Sequence, residues 1–223
     1  MAQHYYALCA DDFLEGHGVS ISFWFEVTQN GQFWVTSGEL GMFDRSGNRK
    51  YLNSDERKAF RRATRAENDL LRRAFLLTLF HTGCRISEAL NVTVGRIDLM
   101  NSAITFETLK RRKPGCFRSV PVPDALIEIM HGLVAGKDHN ERLWKFPRST
   151  AYRMVKAKMK QAHIAGGMAS PKGLRHSHGV ACVAVKIPLT TIQKWLGHAR
   201  LETTAIYLDV LGEEERALAK RLW

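Results

Sequence analysis

The segment SPKGLRHSHGV, residues 170–180, concentrates side chains that can bind an anion or a metal ion. Lys172, Arg175, His176 and His178 lie within seven consecutive residues. The two histidines are two positions apart, so they would diverge on a helix, and the chain contains no HExxH motif. The pattern therefore disfavours a metal site. It favours a phosphate-binding site formed by Lys172 and Arg175, whose side chains would point outward. His176 would pack inward, and His178 is given no role.

The charge of the chain indicates a polyanionic partner. Lys and Arg number 33 against 22 Asp and Glu, which gives a net charge of +11. A surplus of this size points to nucleic acid, with a merely basic surface as the alternative. No apolar run approaches the length of a membrane span, and the N-terminus MAQHYYALCADD lacks the features of a signal peptide. A cytoplasmic protein without a membrane partner is therefore expected.

The cysteines are scattered along the chain and form no CxxC pair. They are Cys9, Cys84, Cys116 and Cys182. This spacing fits neither a zinc ribbon nor a disulfide framework, so we expect free thiols in a reducing compartment and no metal or other cofactor.

Residues 1–50 predict a small β-rich unit that precedes the rest of the chain. The run VSISFWFEV alternates apolar residues on one face, and Asn30-Gly31 is a strong hairpin-turn signal before FWVT. The next stretch, SGELGMFDRSGNRK, is rich in turn residues and predicts a linker or a third short strand. We expect a domain boundary near residue 50, with residues 51–223 forming the main domain.

The pattern after residue 50 predicts a mostly helical α+β domain with a small antiparallel sheet. Asn53 or Ser54 can cap a first helix, and a buried helix is expected from Leu70 to Phe80. AITFETLK and FRSVPVP predict two strands that flank the loop KRRKPGC. An amphipathic helix begins at a cap on Ser149 or Thr150, and the later runs GLRHSHGVACVAV, PLTTIQKWLGH and LETTAIYLDV read as helical. In the final GEEERALAKRLW, two leucines lie at helical spacing.

Four motifs occur in a fixed order along this domain. They are HTGCRISEAL with Arg85, ETLKRRKPGCFRSVPVP with Lys110, SPKGLRHS with Lys172 and Arg175, and WLGHARLETTAIYLDV with His198 and Tyr207. His198 follows Arg175 by 23 residues, and Tyr207 follows His198 by 9. Together the motifs resemble the catalytic constellation of the tyrosine recombinase (phage integrase) family, over about residues 53–223.

The resemblance implies that Tyr207 is the nucleophile and forms a 3′-phosphotyrosyl bond with DNA. Without the motif, Tyr207 would be interpreted as a packed helix residue. Arg85 and Arg175 would clamp the non-bridging oxygens, since guanidinium is always charged and fits phosphate. His198 would donate to a phosphate oxygen. Glu88, one turn after Arg85, can orient that arginine or cap the next helix, and both roles remain open.

The resemblance also assigns the basic loop between the two predicted strands. Lys110 is the expected general acid for the leaving 5′ oxygen, with Lys113 as the alternative. Arg111 and Arg112 are expected to contact backbone phosphates only, and Lys113 is counted with them as a DNA-binding residue.

Lys172 departs from the family, whose commonest residue three positions before the second arginine is histidine. Type IB topoisomerases, which share this chemistry, use lysine there. A lysine donates charge and hydrogen bonds but is a poor base near neutral pH, so Lys172 is predicted to be a phosphate donor.

The amphipathic helix after Thr150 is a second predicted DNA contact. Its inward face is formed by Met154, Val155, Met159 and Ala162, and its outward face carries Arg153, Lys156 and Lys160. Such a helix could lie in the major groove, with a solvated basic face as the alternative.

These interpretations predict a site-specific DNA recombinase or integrase that acts on double-stranded DNA with a specific site, as part of a mobile element. Strand exchange needs four active sites, so a homotetramer on DNA is expected. A type IB topoisomerase-like relaxing enzyme is one alternative, and a DNA-binding regulator that has lost catalysis is another. The expected N-terminal unit is too small for the helical core-binding domain usual in the family.

Overall fold

The structure is a computed structural model that describes residues 41–109, 115–210 and 220. These residues belong to one compact unit that begins at Gly41. The predicted hairpin around Asn30-Gly31, the loop with Lys110, Arg111, Arg112 and Lys113, and the predicted helix after residue 211 lie outside the described residues.

The described fold is mostly helical and contains one small antiparallel sheet, which confirms the predicted α+β class. Its helices are α1 (Ser54–Arg65), α2 (Leu70–Thr82), α3 (Ile86–Leu90), α4 (Asp124–Val134), α5 (Arg148–Gln161), α6 (Pro171–Ala184), α7 (Leu189–Leu196) and α8 (Glu202–Ala205). Its strands are β1 (Ile97–Asp98), β2 (Ala103–Glu107) and β3 (Phe117–Pro121), in the order β1-β2-β3. β2 and β3 correspond to the two predicted strands.

The helix starts follow ordinary capping chemistry. Asn53 caps α1 in a reciprocal capping box with Glu56, so Asn53 and not Ser54 is the cap. Asp69 caps α2, which ends at Gly83 in the left-handed conformation with φ of 59°.

The predicted cap of α5 is wrong. Pro147 precedes the helix in an extended conformation, and Ser149 and Thr150 lie inside the first turn. Proline suits this boundary because its fixed φ leads into a helix and its missing N–H would have no helical partner there.

The core is built around α2, whose residues 74–80 are all buried. Helices α1, α4, α5 and α6 pack on it. A second, smaller cluster contains Met42, Cys182, Ile192, Leu196 and Tyr207. Within the described ranges, no helix is long and apolar enough to cross a bilayer.

The segment before α1 packs with the helical unit. An antiparallel bridge joins Phe43 to Arg49, and Met42 is only 2% exposed. Arg49 makes two hydrogen bonds to Glu56, at 2.6 and 2.7 Å. The division of the chain into two domains near residue 50 stays a prediction, because residues 1–40 are not described.

Candidate active site

Arg85 occupies the N-cap of α3, two residues after the glycine that ends α2. Its Nη1 donates to Oε1 of Glu88 at 2.7 Å, and its backbone N–H donates to Oε2 at 2.9 Å. Glu88 therefore both orients Arg85 and caps the helix, the two roles that the sequence left open. About a quarter of the Arg85 side chain is exposed, so it remains accessible to a ligand.

Arg118 is a buried partner of this pair that the sequence reasoning missed. Its side chain is 4% exposed and donates to Oε2 of Glu88 at 2.7 Å, to Oγ1 of Thr108 at 2.8 Å and to the carbonyl of Trp195 at 2.8 Å. Burial acts to raise the pKa of Glu88, but the charge of Arg118 and the bonds from Arg85 outweigh it and hold that pKa below its usual value. Glu88 is therefore ionised, and the hydrogen bonds of Arg118 connect β3 to α3 and α7.

Arg175 is buried in α6, and its guanidinium donates hydrogen bonds to main-chain carbonyls at the ends of α2 and α7. Its Nη1 donates to the carbonyl of Gly83 at 2.7 Å, and its Nη2 donates to the carbonyl of Leu196 at 2.8 Å. Burial, followed by repulsion from Arg85, lowers the pKa of Arg175 to about 10. The guanidinium remains charged at neutral pH.

Tyr207 lies two residues after α8, in the smaller of the two apolar clusters, and is 1% exposed. Its ring stacks beside that of His198, with centroids 6.2 Å apart and planes 21° apart. Its hydroxyl lies 3.3 Å from Nδ1 of His176. Burial raises the pKa of Tyr207 to about 12, although the charges of Arg175 and Arg85 act to lower it. The phenol is therefore neutral at pH 7.

His198 follows Gly197, the left-handed residue that ends α7. Its Nδ1 lies 2.9 Å from Oγ1 of Thr204, so the ring is fixed by α8. Burial, followed by the charges of Arg175 and Arg85, lowers the pKa of His198 to about 3. A neutral imidazole with one nitrogen anchored can offer the other as a hydrogen-bond donor.

Helix α6 explains the residue order of the segment SPKGLRHSHGV. Lys172, Arg175, His176 and Gly179 are spaced i, i+3, i+4 and i+7, so they share one helix face. Lys172 is exposed in the first turn, and Arg175 is buried. His176 is half-buried and faces Tyr207, a contact across 31 residues that no local pattern indicates.

His178 serves the packing of the same helix. It is buried, and burial followed by the charge of Arg57 lowers its pKa to about 3. Its Nε2 lies 3.5 Å from Sγ of Cys182. Arg57 itself lies over the ring of Phe80, 4.5 Å from its centroid. This cation was also missed from sequence, because it lies in a helix rich in solvated arginines.

Helix α5 presents the predicted cationic face. Arg153, Lys156 and Lys160 are exposed, while Val155 and Met159 are buried. Lys156 also donates to the carbonyl of Ala169 at 2.8 Å. The other predicted inward residues, Met154 and Ala162, are partly buried and pack on the core, and Ala151 joins them.

Two clefts lie near these elements. One, of about 260 Å³, opens beside His198 and is also lined by Thr108, Phe117 and Lys194. The larger one, of about 510 Å³, lies at the start of α5 and includes none of the four motif residues Arg85, Arg175, His198 and Tyr207.

Over the described part of the chain, no group of three or more His, Cys, Asp or Glu side chains could hold a metal ion. Cys84, Cys116 and Cys182 are free thiols, and Cys9 lies outside the described residues.

A protein-family model described as the phage integrase family matches residues 50–214. The tyrosine recombinase of Thermosipho africanus is 30% identical over 179 residues, which cover 77% of this chain and 61% of that protein. Tyrosine recombinase XerA of Pyrococcus furiosus is 31% identical and covers 67% of this chain and 54% of its own length.

Two solved structures show the same architecture. A crystal structure of XerA recombinase superposes with a TM-score of 0.64 at 25% identity, covering 77% of this chain and 64% of that one. XerH site-specific recombinase, bound to difH substrate in a pre-cleavage complex, gives a TM-score of 0.62 at 20% identity, covering 87% and 59%. The chain thus spans less than two thirds of the length of each of these relatives.

Proposed function

The chain belongs to the phage integrase family, and on that premise we propose that it is a site-specific DNA recombinase that works through a 3′-phosphotyrosyl intermediate. The observation that carries the proposal is the cluster itself. The ring of His198 lies 6.2 Å from that of Tyr207, and the charges of Arg175 and Arg85 act to lower the pKa of this tyrosine.

Tyr207 is the proposed nucleophile. Its Oη attacks the scissile phosphorus, the bond from phosphorus to the 5′ oxygen breaks, and the DNA 3′ end stays on the tyrosine. The ester energy is conserved, so a second 5′ hydroxyl can reverse the reaction without a nucleotide cofactor.

The surrounding cations stabilise the charge that develops on the phosphorane. Arg175 is already oriented by two carbonyls, and Arg85 by Glu88. Donors held in place before the reaction stabilise developing charge without reorganisation. We assign Arg85, Arg175 and His198 to the non-bridging oxygens and Lys172 to a further phosphate contact, while Lys110 protonates the leaving oxygen.

The burial of Tyr207 implies a step before chemistry. Because Tyr207 is only 1% exposed, a phosphate in solvent cannot reach its hydroxyl. DNA binding must therefore accompany a local movement that gives the phosphate access to this hydroxyl. This movement gates cleavage and keeps the resting enzyme from cutting DNA at random.

The proposed partner is double-stranded DNA with a specific recombination site, bound in the cytoplasm. XerH, a structural neighbour, is bound to its difH substrate. The exposed Arg153, Lys156 and Lys160 of α5 supply a second basic surface for the duplex. Strand exchange between two duplexes requires four sites, so the working form is a homotetramer.

A nicked suicide substrate tests the mechanism, because loss of the short 5′ fragment traps the covalent adduct. Wild-type protein should form the adduct in the presence of EDTA, since side-chain cations supply the charge that a metal would supply. Tyr207→Phe should form none. Tyr152→Phe, which alters an exposed tyrosine of α5, is the matched control and should retain it. An adduct on Tyr207→Phe contradicts the assignment.

One observation favours a second function, relaxation of supercoiled DNA by single active sites. Lys172 stands exposed in the first turn of α6, where type IB topoisomerase-like enzymes carry a lysine. A plasmid without a recombination site separates the two: relaxation of that plasmid favours the topoisomerase reading, and site-dependent adduct formation favours the recombinase.

A further inference from the structure

We propose that His176 is a catalytic residue that accepts the proton of the Tyr207 hydroxyl as the tyrosine attacks phosphate. The proposal rests on the proposed function, in which Tyr207 is the nucleophile. His176 follows Arg175 directly in α6, and its Nδ1 lies 3.3 Å from Oη of Tyr207. Contacts of this length in an enzyme without substrate commonly tighten in the reactive complex.

The reaction needs a proton acceptor at this place. Tyr207 is a neutral phenol, and attack by a neutral phenol leaves a proton that must go elsewhere. Lysine is a poor base near neutral pH, so Lys172 does not supply the function. His198 has its Nδ1 engaged with Thr204. Among the side chains that the structure describes, the one hydrogen-bonded to the Tyr207 hydroxyl is His176.

His176 is a neutral imidazole at pH 7, so it can accept the proton of the Tyr207 hydroxyl. Burial, followed by the charges of Lys172, Arg175 and Lys50, lowers its pKa to about 4, so the imidazole is neutral at pH 7. Its Nε2 is buried without a hydrogen-bond partner among the described residues, so no observed neighbour fixes the tautomer. An incoming phosphate brings negative charge that raises the imidazole pKa and favours protonation.

The proposed step balances in both directions. In cleavage, the Oη–H proton moves to Nδ1 of His176, the bond from Oη to phosphorus forms, and the bond to the 5′ oxygen breaks with a proton from Lys110. In rejoining, the 5′ hydroxyl attacks phosphorus and gives its proton back to Lys110. The bond to Oη then breaks, and His176 returns its proton to Tyr207.

The experiment compares two suicide substrates, one with the natural 5′ oxygen and one with a bridging 5′ sulfur. A thiolate leaves without being protonated, so the sulfur substrate removes the need for a general acid but not for a base. His176→Asn retains a polar group near Nδ1 that cannot accept a proton at neutral pH. Its single-turnover cleavage rate at saturating DNA should fall about 100-fold or more with both substrates. Lys110→Ala should be slow with oxygen and restored with sulfur.

The pH–rate profile supplies the second readout. The wild-type rate should fall at low pH as His176 becomes protonated, and His176→Asn should lose that acidic limb. If His176→Asn does not fold, His176→Gln is measured in the same two assays. A His176 variant that cleaves at the wild-type rate, or that is restored by sulfur, overturns the proposal.

Two results distinguish the role of His176 from the recombinase mechanism. A covalent link at Tyr207 together with a fully active His176→Asn refutes only the role of His176. Adduct formation by Tyr207→Phe refutes the proposed function itself.

Discussion

The ring of Tyr207 lies so close to the backbone of Gly179 that a Cβ at position 179 would come 2.5 Å from two ring carbons. Glycine inside a helix costs about 1 kcal/mol relative to alanine, so its presence in α6 needs a reason. The ring of Tyr207 is that reason. Helix α6 thus supplies both the flat surface that seats the ring and, one turn earlier, the histidine that meets its hydroxyl.

Gly179→Ala should displace Tyr207. Overpacking of this kind costs about 1–3 kcal/mol, and an ångström of displacement can slow a reaction by about 100-fold. Thermal unfolding and suicide-substrate cleavage measure the two effects. Gly132→Ala in α4 is the control, because nothing lies within 4 Å of a Cβ there. It should be neutral or slightly stabilising, and equal behaviour of the two variants would contradict the packing argument.

Glu88→Gln should destabilise the fold by about 3–5 kcal/mol, because it leaves the buried Arg118 without its charge partner. It should also slow cleavage below the unfolding temperature, since Arg85 loses the carboxylate that orients it. Urea unfolding gives the first quantity and single-turnover cleavage the second. Glu141→Gln removes the partner of the exposed Lys145 and should leave both nearly unchanged. A stable, fully active Glu88→Gln would show that the network is dispensable.

The protein should lose stability as pH falls from about 6.5 to 4. His176, His178 and His198 have folded pKa values of about 4, 3 and 3. The unfolded chain binds protons on these rings below about pH 6.5. At pH 5 each ring should therefore cost about 2 kcal/mol of the free energy of unfolding.

Urea unfolding between pH 7.5 and 5 measures this dependence. His178→Gln should flatten the pH slope whatever its effect on absolute stability. The matched change at an exposed histidine, His131→Gln, should leave the slope unchanged. If the stability of the wild type did not change with pH, these histidines would be protonated to the same extent in the folded and unfolded states.

Lys172→Ala should slow cleavage and rejoining together, because one stabilising contact to a shared transition state is lost. Lys172→His should recover much of the rate below about pH 6.5, where imidazole is charged, and less above it. The check is a pH–rate profile of the three proteins, with the exposed Lys58→Ala on α1 as the control. Best activity of Lys172→His at high pH would mean that the group acts as a base.

A chain shortened to begin at residue 41 should keep the contacts described here, while one beginning at Asn53 should be destabilised. The longer form retains Met42 and Leu52, whose burial is worth about 1.5–3 kcal/mol each, and the pair of Arg49 with Glu56. Thermal unfolding of the two forms provides the comparison. Equal stability would place residues 41–52 outside the cooperative unit.

The sequence predicted most of the described helices, although not α4, and the order of the motif residues, because both depend on local patterns. A cap for α1 at Asn53 or Ser54 and the buried helix α2 follow from patterns within a few residues. The contact of His176 with Tyr207 does not, since it depends on where α8 returns against α6.

Arg118 shows a different limit of sequence reasoning. Strand alternation places it on the same face as the buried Val120, opposite Phe106 of β2. A charged residue at such a position is ordinarily assigned to solvent. Its partners, Glu88 and the carbonyl of Trp195, lie 30 and 77 residues away, so only the tertiary fold identifies them.

The two hydrogen bonds of Arg175 limit which sequence changes can disturb its position. Both acceptors are main-chain carbonyls, of Gly83 and Leu196, at the ends of α2 and α7. No side-chain substitution can delete a carbonyl, so point mutation cannot directly remove the anchors of this arginine. An insertion or deletion that moves either helix end can. The positioning of Arg175 should therefore tolerate amino-acid replacement along both helices far better than any change in their length.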